Sequence, residues 1–402
     1  MKLLQINSVA NSGSTGKIAE GIGLIAQKSG FESVIAYGRY ANRSQSKLIQ
    51  IGRKWEYLEH GIESRIFDNH GLASRHATKK FIRQIQSYNP DIIHLHNIHG
   101  YYINFLELFN YFKETNIPVV WTLHDCWPIT GHCVHFDFCG CTRWKTCCCD
   151  CPQKKTYPKS LFFDSSARNF MLKRDLFSQI NNLFLIPVSN WLNAILNDSF
   201  LCDKYRSVIY NGIDTNVFSP TSGNPRKKFN FSDADLLLLG VASVWSERKG
   251  LKDFIELSKF LSPETKLILV GLSNSQIAKL PDNIIGIERT ESAQELAELY
   301  SASDIFLNLT YEDNYPTTNL EAISCGTPCL TYQTGGSPES ITPQTGFVVK
   351  QGDIRGVLDR LQEFKSKKKE FYTSHCREYA LEHFCQDLCF QKYIDLYNMI
   401  LS

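Results

Sequence analysis

The chain has 402 residues, of which 43% are hydrophobic and 21% are charged, and its 43 basic residues nearly balance its 41 acidic residues. This length and composition predict a globular protein of two domains and exclude a disordered or fibrous one. The balanced charge provides no general attraction for nucleic acid, so any anionic ligand must be bound at a local site.

The N-terminal segment does not resemble a secretory leader, because Lys2 is followed only by the short apolar run Leu3-Leu4 before Gln5. No window of the sequence approaches the roughly 20 apolar residues that a membrane-spanning helix needs. We therefore expect a cytoplasmic protein whose contact with a membrane, if any, is peripheral.

The first half of the chain alternates apolar strand patterns with helical patterns. It opens with a strand at 2–6 and a small-residue loop, and Ile18, Ile22 and Ile25 then follow at helical spacing. Further strands are predicted at 33–37, 92–96, 119–123 and 184–188. Apolar strands separated by helices predict a parallel sheet with helices on both faces.

The same pattern restarts after a stretch rich in Pro, Ser, Gly and basic residues, Ser219–Lys228. Strands are predicted at 236–242, 266–271, 284–287, 305–309 and 328–332. The fold class is therefore α/β with two doubly wound domains, 1–207 and 208–380, and a C-terminal helix at 381–402 that returns to the first domain. Such sheets bind ligands at the carboxyl ends of their strands, which predicts a cleft site between facing domains.

The loop after the first strand contains Gly13 and Gly16 and leads into a helix. Glycines there let the backbone approach a phosphate or a sugar at the helix N-terminus. The loop is not a nucleotide-binding P-loop, because Asn11 stands at a glycine position and Ile18 replaces the hydroxyl residue. A tight turn ahead of a helix is the alternative interpretation.

Two adjacent cations, Arg248 and Lys249, lie on a predicted strand-to-helix loop in the second half. A diphosphate at this position would meet fixed positive charge and helix N–H groups together, and charge-assisted hydrogen bonds of that kind are strong. The alternative is an ordinary solvated basic pair.

A second candidate site lies around Asp313 and Glu321, which are eight residues apart. If Pro316 opens a helix, Asp313 precedes it and Glu321 lies more than one turn inside it. Carboxylates accept hydrogen bonds from sugar or ribose hydroxyls, while Thr317, Thr318 and the N–H groups of the first turn could hold phosphate oxygens.

Taken in order, the motifs of the chain resemble glycosyltransferase family 4, a family with the GT-B fold of two Rossmann-like domains facing across a cleft. In the second half the resemblance rests on Asn211–Asp214, Arg248–Gly250, the acidic pair, Cys325–Pro328 and Gly335–Glu339. In the first half it rests on His94–Gly100 and Thr122–Asp125, which are similar to a bacterial branch that builds capsule, exopolysaccharide or O-antigen chains.

The resemblance implies a retaining transferase of the hexosyltransferase type, which needs no metal for catalysis. Arg248 and Lys249 would neutralise the diphosphate of a nucleotide-sugar donor, with Gly13 and Gly16 beside its phosphates. The acceptor would be a growing, lipid-linked cell-surface polysaccharide. Stabilisation of the leaving diphosphate by fixed positive charge would be the main electrostatic contribution to catalysis.

The resemblance also assigns three further residues. Glu321 would bind the ribose, Asp313 would contact the transferred sugar, and His124 would lie near the reacting centre. The chain departs from the family pattern at the first acidic position, where Asp313 replaces Glu and follows Glu312, so either carboxylate could serve. It also has Pro316 where a flexible glycine is usual, and it lacks the usual Arg a few residues before Lys249.

Eight of the 14 cysteines lie between Cys126 and Cys151. In a reducing compartment such a cluster indicates metal binding more often than disulfides. Four of them could enclose a structural, tetrahedral Zn²⁺ and pin an insertion at about residues 126–160: Cys133, Cys141, Cys148 and Cys151. Reduced buried thiols are the alternative, and catalytic zinc is not expected.

We expect His94, His96 and His99 to satisfy local hydrogen bonds rather than to act in catalysis. The apolar residues at 171–177 are expected to be helix packing, although Lys173 and Arg174 beside them leave a peripheral membrane contact open. Two alternative functions remain: a nucleotide-sugar epimerase of the same fold, and an inactive, zinc-stabilised binding protein.

Overall fold

The computed structural model describes residues 1–223 and 225–402, apart from the side chain of Lys368. The chain forms two units, one made of residues 1–210 with 390–402 and the other of residues 211–389. Each unit is built on its own parallel sheet, so the predicted α/β class with two doubly wound domains is confirmed.

The sheet of the first unit contains seven strands within the described residues, in the order β3-β2-β1-β4-β5-β6-β7. Their bounds are β1 Lys2–Ala10, β2 Glu32–Ala41, β3 Lys47–Gln50, β4 Ile92–Leu95, β5 Val119–Leu123, β6 Leu183–Pro187 and β7 Tyr205–Arg206. The central strands are apolar because both of their faces are covered, and every residue of β4 and β5 is buried.

The first unit also contains helices, which lie between its strands along the chain. They are α1 Gly13–Lys28, α2 Lys54–Phe67, α3 Arg75–Tyr88, α4 Phe105–Glu114, α5 Ser166–Phe177 and α6 Asn190–Leu196. The stripe Ile18, Ile22 and Ile25 of α1 is buried, as its helical spacing predicts. The side chain of Asn104 caps α4 by accepting a hydrogen bond from the N–H of Glu107 at 2.9 Å.

The sheet of the second unit has six strands in its described part, in the order β10-β9-β8-β11-β12-β13. These are β8 Leu236–Val241, β9 Thr265–Val270, β10 Ile284–Ile287, β11 Ile305–Asn308, β12 Cys329–Tyr332 and β13 Gly346–Val349. The helices after α6 along the chain are α7 Pro225–Lys228, α8 Leu251–Ser258, α9 Asn274–Ile277, α10 Ala293–Ala302, α11 Thr317–Ser324, α12 Ile354–His383 and α13 Gln386–Leu401.

Helix α13 begins in the second unit and, from Phe390 onward, belongs to the first. Two of its tyrosines reach strands of the first sheet. The hydroxyl of Tyr397 lies 2.6 Å from Nδ1 of His94, and Thr122 donates a hydrogen bond of 2.9 Å to the hydroxyl of Tyr393. Within the described part of the chain, no helix is both long enough and apolar enough to cross a membrane.

Candidate active site

His124 comes directly after β5, where the carboxyl end of the strand meets the loops of the first unit. Its Nε2 atom lies 3.1 Å from Nδ1 of His96, and the two rings stack with centroids 5.4 Å apart. His96 follows β4, and its Nε2 atom lies 3.0 Å from Oε1 of Gln5 on β1. Three adjacent strands therefore contribute one hydrogen-bonded row, Gln5-His96-His124.

This row fixes which ring nitrogens carry protons. Gln5 donates its amide N–H to the carbonyl of Ala19 at 2.8 Å, so its Oε1 atom accepts from Nε2–H of His96. Burial, together with His94 and His124, lowers the pKa of His96 well below its usual value, so the ring is neutral and its Nδ1 atom accepts. His124 must then donate from Nε2, which leaves the lone pair of its ring on Nδ1.

The pKa of His124 is also low. Burial lowers it to about 4, with a smaller lowering by His99, although the neighbouring Asp125 raises it in part. A neutral imidazole near pH 7 can accept a proton or a hydroxyl hydrogen bond, which a protonated one cannot. The geometry therefore makes Nδ1 of His124 an acceptor at the carboxyl end of β5.

Asp125 is a fixed anion beside this histidine. Its Oδ2 atom lies 2.7 Å from Nε2 of His99, and its Oδ1 atom accepts the N–H of Trp127 at 2.9 Å. Burial alone would raise the pKa of Asp125, but His99 and the N–H of Trp127 lower it to about 2. His99 in turn lies 3.1 Å from the hydroxyl of Tyr157. The sequence indicates no role for Asp125, beyond its place within a motif, or for Tyr157, because their contacts depend on this packing.

His96, His99 and His124 line a shallow surface depression together with Asp125 and Trp127. His94 lies behind it and is fully buried, with its Nε2 atom 2.7 Å from Thr122. The three histidines that were expected to be locally hydrogen bonded do have such partners.

Gly13 and Gly16 differ in their surroundings. Gly13 has φ +59°, and a Cβ atom placed on it would have no described atom within 4 Å. A Cβ atom on Gly16 would lie 3.1 Å from a methyl of Val9 and 3.2 Å from the backbone N of Asn11. Gly16 therefore allows close packing of the turn, whereas Gly13 keeps the start of α1 open.

In the second unit, Arg248 and Lys249 lie in a short turn between β8 and α8. Gly250 follows with φ +74°, and a Cβ atom there would lie 1.9 Å from the carbonyl oxygen of Leu309, so the position requires glycine. The carbonyl of Arg248 accepts the N–H of Tyr311 at 2.7 Å. The basic turn is thus held against the segment that follows β11.

The two predicted site groups of this unit meet directly. The ammonium of Lys249 forms an ion pair with the carboxylate of Asp313, and both side chains are about one-fifth exposed. The guanidinium of Arg248 donates to the backbone carbonyl of Glu312. The side chain of Glu312 is fully buried, so of the two neighbouring carboxylates Asp313 is the accessible one.

The backbone at Asp313 is supported by the Gly335-Gly336 pair. A Cβ atom on Gly335, which has φ +53°, would lie 1.9 Å from the carbonyl oxygen of Asp313. The N–H of Gly336 donates to the same oxygen at 3.2 Å. This glycine motif is therefore needed for a close approach of two loops.

Helix α11 presents the remaining predicted residues. It starts at Thr317, so Pro316 is the N-cap residue and does not lie in the first turn as its position in the sequence suggested. Thr317 and Thr318 are half-buried at this helix start. Oε2 of Glu321 accepts a hydrogen bond of 3.1 Å from the hydroxyl of the buried Tyr300, a partner that the sequence did not indicate.

The four cysteines of the predicted zinc site line one small pocket: Cys133, Cys141, Cys148 and Cys151. Cys133 and Cys151 are hydrogen bonded to each other, which raises the pKa of Cys133 and lowers that of Cys151 to about 7. Across residues 1–223 and 225–402, however, no three His, Cys, Asp or Glu side chains are arranged so that they could hold a metal ion. The structure therefore gives no support to the zinc site, which stays a prediction for elemental analysis of freshly purified protein.

Lys173 is one of the two cations that left a peripheral membrane contact open in the sequence, and the structure places it in the interior. Its side chain is buried and donates to the carbonyls of Trp127 at 2.7 Å and Thr130 at 2.9 Å. The ammonium also lies 3.3 Å from the centroid of the Trp127 ring. Lys173 thus holds the turn after β5 and presents no charge to a bilayer.

The sequence matches two family descriptions, "Glycosyltransferase Family 4" over residues 26–217 and "Glycosyl transferases group 1" over residues 224–383. It is 26% identical over 286 residues to WcaC of Escherichia coli (strain K12), a glycosyl transferase named for colanic acid biosynthesis. That match covers 66% of this chain and 65% of WcaC.

A second relative is the N,N'-diacetylbacillosaminyl-diphospho-undecaprenol alpha-1,3-N-acetylgalactosaminyltransferase of Campylobacter jejuni. It is 23% identical over 203 residues, which is 48% of this chain and 53% of the relative. The chain thus spans between half and two thirds of the length of these curated relatives.

Solved structures share the fold over nearly the whole chain. Sucrose-phosphate synthase from Thermosynechococcus elongatus has a TM-score of 0.75 at 15% identity, with 99% of this chain and 98% of that chain covered. Anabaena HepE in complex with UDP-glucose has a TM-score of 0.66 at 14% identity, with 99% and 100% covered. From the two family matches and this shared GT-B fold, the chain belongs to glycosyltransferase family 4, a family of enzymes that transfer glycosyl groups.

Proposed function

We propose that the protein is a retaining glycosyltransferase that moves a sugar from a nucleotide-sugar to a growing, lipid-linked cell-surface polysaccharide. This proposal rests on one observation, the ion pair between Lys249 and Asp313 near the N-terminus of α11. A cation for a diphosphate and a carboxylate for sugar hydroxyls are thereby placed next to each other on loops at the carboxyl ends of β8 and β11.

The second unit would bind the donor. Arg248 and Lys249 would hold the diphosphate, and the N–H groups and hydroxyls of Thr317 and Thr318 would add hydrogen bonds at the start of α11. Glu321 would accept hydrogen bonds from the ribose. Positive charge that is already in place lowers the barrier to departure of the nucleoside diphosphate, because little reorganisation is needed as charge develops.

Asp313 would accept a hydrogen bond from a hydroxyl of the transferred sugar. In the present structure its carboxylate is paired with Lys249, so a donor diphosphate would compete with Asp313 for the ammonium. Binding of the diphosphate would therefore release the carboxylate toward the sugar. This exchange links donor binding to the placement of Asp313.

In the first unit, Nδ1 of His124 would accept a hydrogen bond from the reacting sugar. The start of α1 at Gly13 would lie beside a phosphate of the donor. Gly16 would allow the tight turn that leads into this helix. We propose no metal ion in the transfer step. The first unit is proposed as the acceptor side of the enzyme.

Two relatives support the acceptor class. WcaC of Escherichia coli is named for colanic acid biosynthesis, and the Campylobacter jejuni enzyme is named for an acceptor with a diphospho-undecaprenol carrier. A polysaccharide chain on such a carrier would place the enzyme in the cytoplasm with peripheral contact to the inner membrane.

The test is nucleotide release from a panel of nucleotide-sugars, measured with and without a lipid-linked glycan acceptor. We expect one donor to be turned over much faster when the acceptor is present. Conversion of a sugar nucleotide into an isomer of equal mass without acceptor would identify an epimerase instead. A correctly folded protein that binds none of the donors in calorimetry would refute a transferase.

A further inference from the structure

Tyr101 has a strained backbone in the loop between β4 and α4. Its φ of +67° lies in the left-handed region, which a bulky residue rarely adopts. Its side chain is 7% exposed and packs against the rings of His60, His70 and Tyr157, with centroids 5.9, 5.0 and 5.9 Å apart. Strain of this kind persists only where the surrounding packing fixes it, and it is concentrated at active sites and ligand-binding sites.

The hydroxyl of Tyr101 has no hydrogen-bond partner within the described part of the chain. A largely buried hydroxyl that lacks a partner destabilises the folded protein. Burial raises the pKa of Tyr101, and the charges of Arg65 and Arg39 lower it in part, so this hydroxyl lies in the field of two guanidinium groups. The unsatisfied donor therefore points to a ligand that bears negative charge.

Two arginines from separate elements flank the ring of Tyr101. The guanidinium carbon of Arg39, on β2, lies 5.9 Å from the centroid of this ring, and that of Arg65, on α2, lies 5.8 Å from it. Both arginines are exposed. The face of an aromatic ring attracts cations at such distances, but it does not neutralise their charge.

Neither arginine forms an ion pair with an acid among the described residues. Arg65 donates one hydrogen bond, of 3.0 Å, to the carbonyl of Gly61 on its own helix, and Arg39 makes none to a described residue. Asp125, the acid of the neighbouring depression, is bound by His99 at 2.7 Å. Since an arginine has five N–H donors, most of the donors of this pair remain available to a ligand.

The approach of Arg39 to Tyr101 is fixed by the backbone on both sides. A Cβ atom on Gly38 would lie 2.2 Å from the ring of Tyr102, so β2 contacts the loop after β4 too closely for any other residue. The hydroxyl of Tyr102 also donates to the carbonyl of Asn97 at 2.8 Å. The two cations and the tyrosine are thus held in place before a ligand arrives, which lowers the entropic cost of binding.

This group of side chains lies beside the depression that contains His124. Tyr157 joins the two places, because its hydroxyl lies 3.1 Å from Nδ1 of His99 in the depression while its ring packs against Tyr101. Tyr157 is itself 42% exposed, so an aromatic surface is available next to the cations. All these residues belong to the first unit.

We propose that Arg39, Arg65 and Tyr101 bind an oxyanion carried by the acceptor, either the carboxylate of an acidic sugar or a phosphate. A guanidinium group matches two oxygen atoms of either group with parallel hydrogen bonds, and the hydroxyl of Tyr101 would donate another. The exposed face of Tyr157 would pack against the sugar that carries the anion. The assignment to the acceptor rests on the function proposed above, whereas the binding of an oxyanion does not.

The experiment follows the side-chain Nε–H signals of Arg39 and Arg65 by NMR in the full chain labelled with ¹⁵N-arginine. The probes are D-glucuronate and inorganic phosphate at constant ionic strength, with D-glucose as the neutral comparison. Arg39→Gln and Arg65→Gln assign the two signals. The matched control is Arg83→Gln, at an exposed arginine of α3, and Lys249→Ala removes a cation of the proposed donor site.

We expect at least one of the two anions to shift both arginine signals until they saturate, and D-glucose to shift neither. Arg39→Gln and Arg65→Gln should each weaken the binding, measured on the remaining signal, by about tenfold or more. Arg83→Gln and Lys249→Ala should bind the anion as the parent protein does. Shifts with D-glucuronate alone would identify a sugar carboxylate as the ligand, and shifts with phosphate alone would identify a phosphate.

Tyr101→Phe tests the hydroxyl separately from the packing of the ring. We expect it to weaken the binding of the anion without lowering the free energy of unfolding, because the hydroxyl has no internal partner to lose. Signals that respond to neither anion, or equal binding by the parent protein and the two arginine variants, would overturn the proposal.

Kinetics with the lipid-linked acceptor separate this proposal from the proposed function. Arg39→Gln should raise the KM for the acceptor and leave the KM for the donor unchanged. Anion binding by a protein that turns over no donor would refute the transferase alone. Turnover with an unchanged KM for the acceptor in Arg39→Gln would refute the acceptor site alone.

Discussion

The ammonium of Lys249 and the carboxylate of Asp313 form an ion pair between the loop after β8 and the loop after β11. Each group is the other's partner while no diphosphate is bound. If the diphosphate of a donor displaces Asp313, Lys249 exchanges one ion pair for another. The charge of the donor therefore decides whether the exchange occurs.

Lys249→Ala should weaken donor binding and lower turnover. The substitution removes a charge-assisted hydrogen bond to the diphosphate, which is worth about 1.5 to 3 kcal/mol. Donor affinity by calorimetry and kcat/KM by nucleotide release are the measurements. The matched control is Lys252→Ala, since Lys252 is close in sequence but pairs with Glu247 and is well exposed. Equal kinetics of both variants would refute the phosphate assignment.

Asp313→Asn and Glu321→Gln should fail in different ways. Glu321→Gln should raise the KM for the donor and weaken binding of the free nucleotide, because a ground-state contact to ribose is lost. Asp313→Asn should mainly lower kcat, since its contact to the sugar strengthens in the transition state. Nucleotide affinity should stay the same or increase, because Lys249 loses its internal partner.

Glu312→Gln is the companion variant for this pair. The side chain of Glu312 is buried, so we expect this change to lower thermal stability more than it lowers kcat at a temperature where the protein is folded. An inactive but folded Glu312→Gln variant beside an active Asp313→Asn variant would show that Glu312 carries the role assigned to Asp313.

Gln5→Leu should disturb the proton position on His124 from a distance. Loss of the Gln5 acceptor lets His96 donate from Nδ1, and His124 then carries its proton on Nδ1 instead of Nε2. Ring ¹⁵N chemical shifts of labelled histidine distinguish the two tautomers, and kcat should fall with little change in nucleotide affinity. Unchanged ring shifts with normal thermal stability would contradict the row of fixed protons.

Stability should fall as the pH is lowered from about 6.5 toward 4. Burial lowers the pKa of His60 to about 3 and that of His124 to about 4, so the unfolded chain binds protons in this range that the folded chain does not. The stabilising contribution is complete above the unfolded pKa of about 6.5 and is lost as the pH falls. The free energy of unfolding, measured with urea at several pH values, should change less with pH in His60→Asn than in the parent protein. His76→Asn, at an exposed position, should show the same pH dependence as the parent protein.

Lys173→Met should destabilise the first unit although it preserves side-chain length. Two buried carbonyls, of Trp127 and Thr130, would lose their shared donor, at a cost of about 1 to 3 kcal/mol for each unsatisfied group. Urea unfolding is the measurement. Arg174→Met, on the exposed side of α5, should have a free energy of unfolding close to that of the parent protein.

Strand positions were predictable because parallel strands that are buried on both faces are nearly continuous apolar runs. Val119–Leu123 and Ile284–Ile287 were predicted with the bounds that the structure gives. The short edge strands β3 and β7 and the strand β13 were missed. β3 is polar at both ends, β7 has only two residues, and β13 begins with glycine, so none of them shows the pattern.

The candidate site was predictable only in part. Loop position and residue type indicated Lys249 and Asp313 as donor-binding residues. Their ion pair could not be predicted, because it depends on the spatial order of strands that are distant in sequence. Helix α2 shows a further limit, because helical spacing shows that Trp55, Leu58 and Ile62 share a face but does not show whether that face is inside or outside. The sequence predicts a division between the domains after residue 207, and the two units of the structure divide after residue 210. Pro225–Lys228, which the composition of the sequence does not predict to be helical, forms a helical turn.

The path of helix α13 has a consequence for dissecting the protein. A fragment that stops at residue 210 would contain every strand of the first sheet and yet lack Tyr393 and Tyr397, the hydrogen-bonding partners of Thr122 and His94. Supplying residues 390–402 in trans, or joining them ahead of Met1 by a flexible linker, would restore these partners. The first unit is therefore a discontinuous domain, and an independent fold requires both of its chain segments.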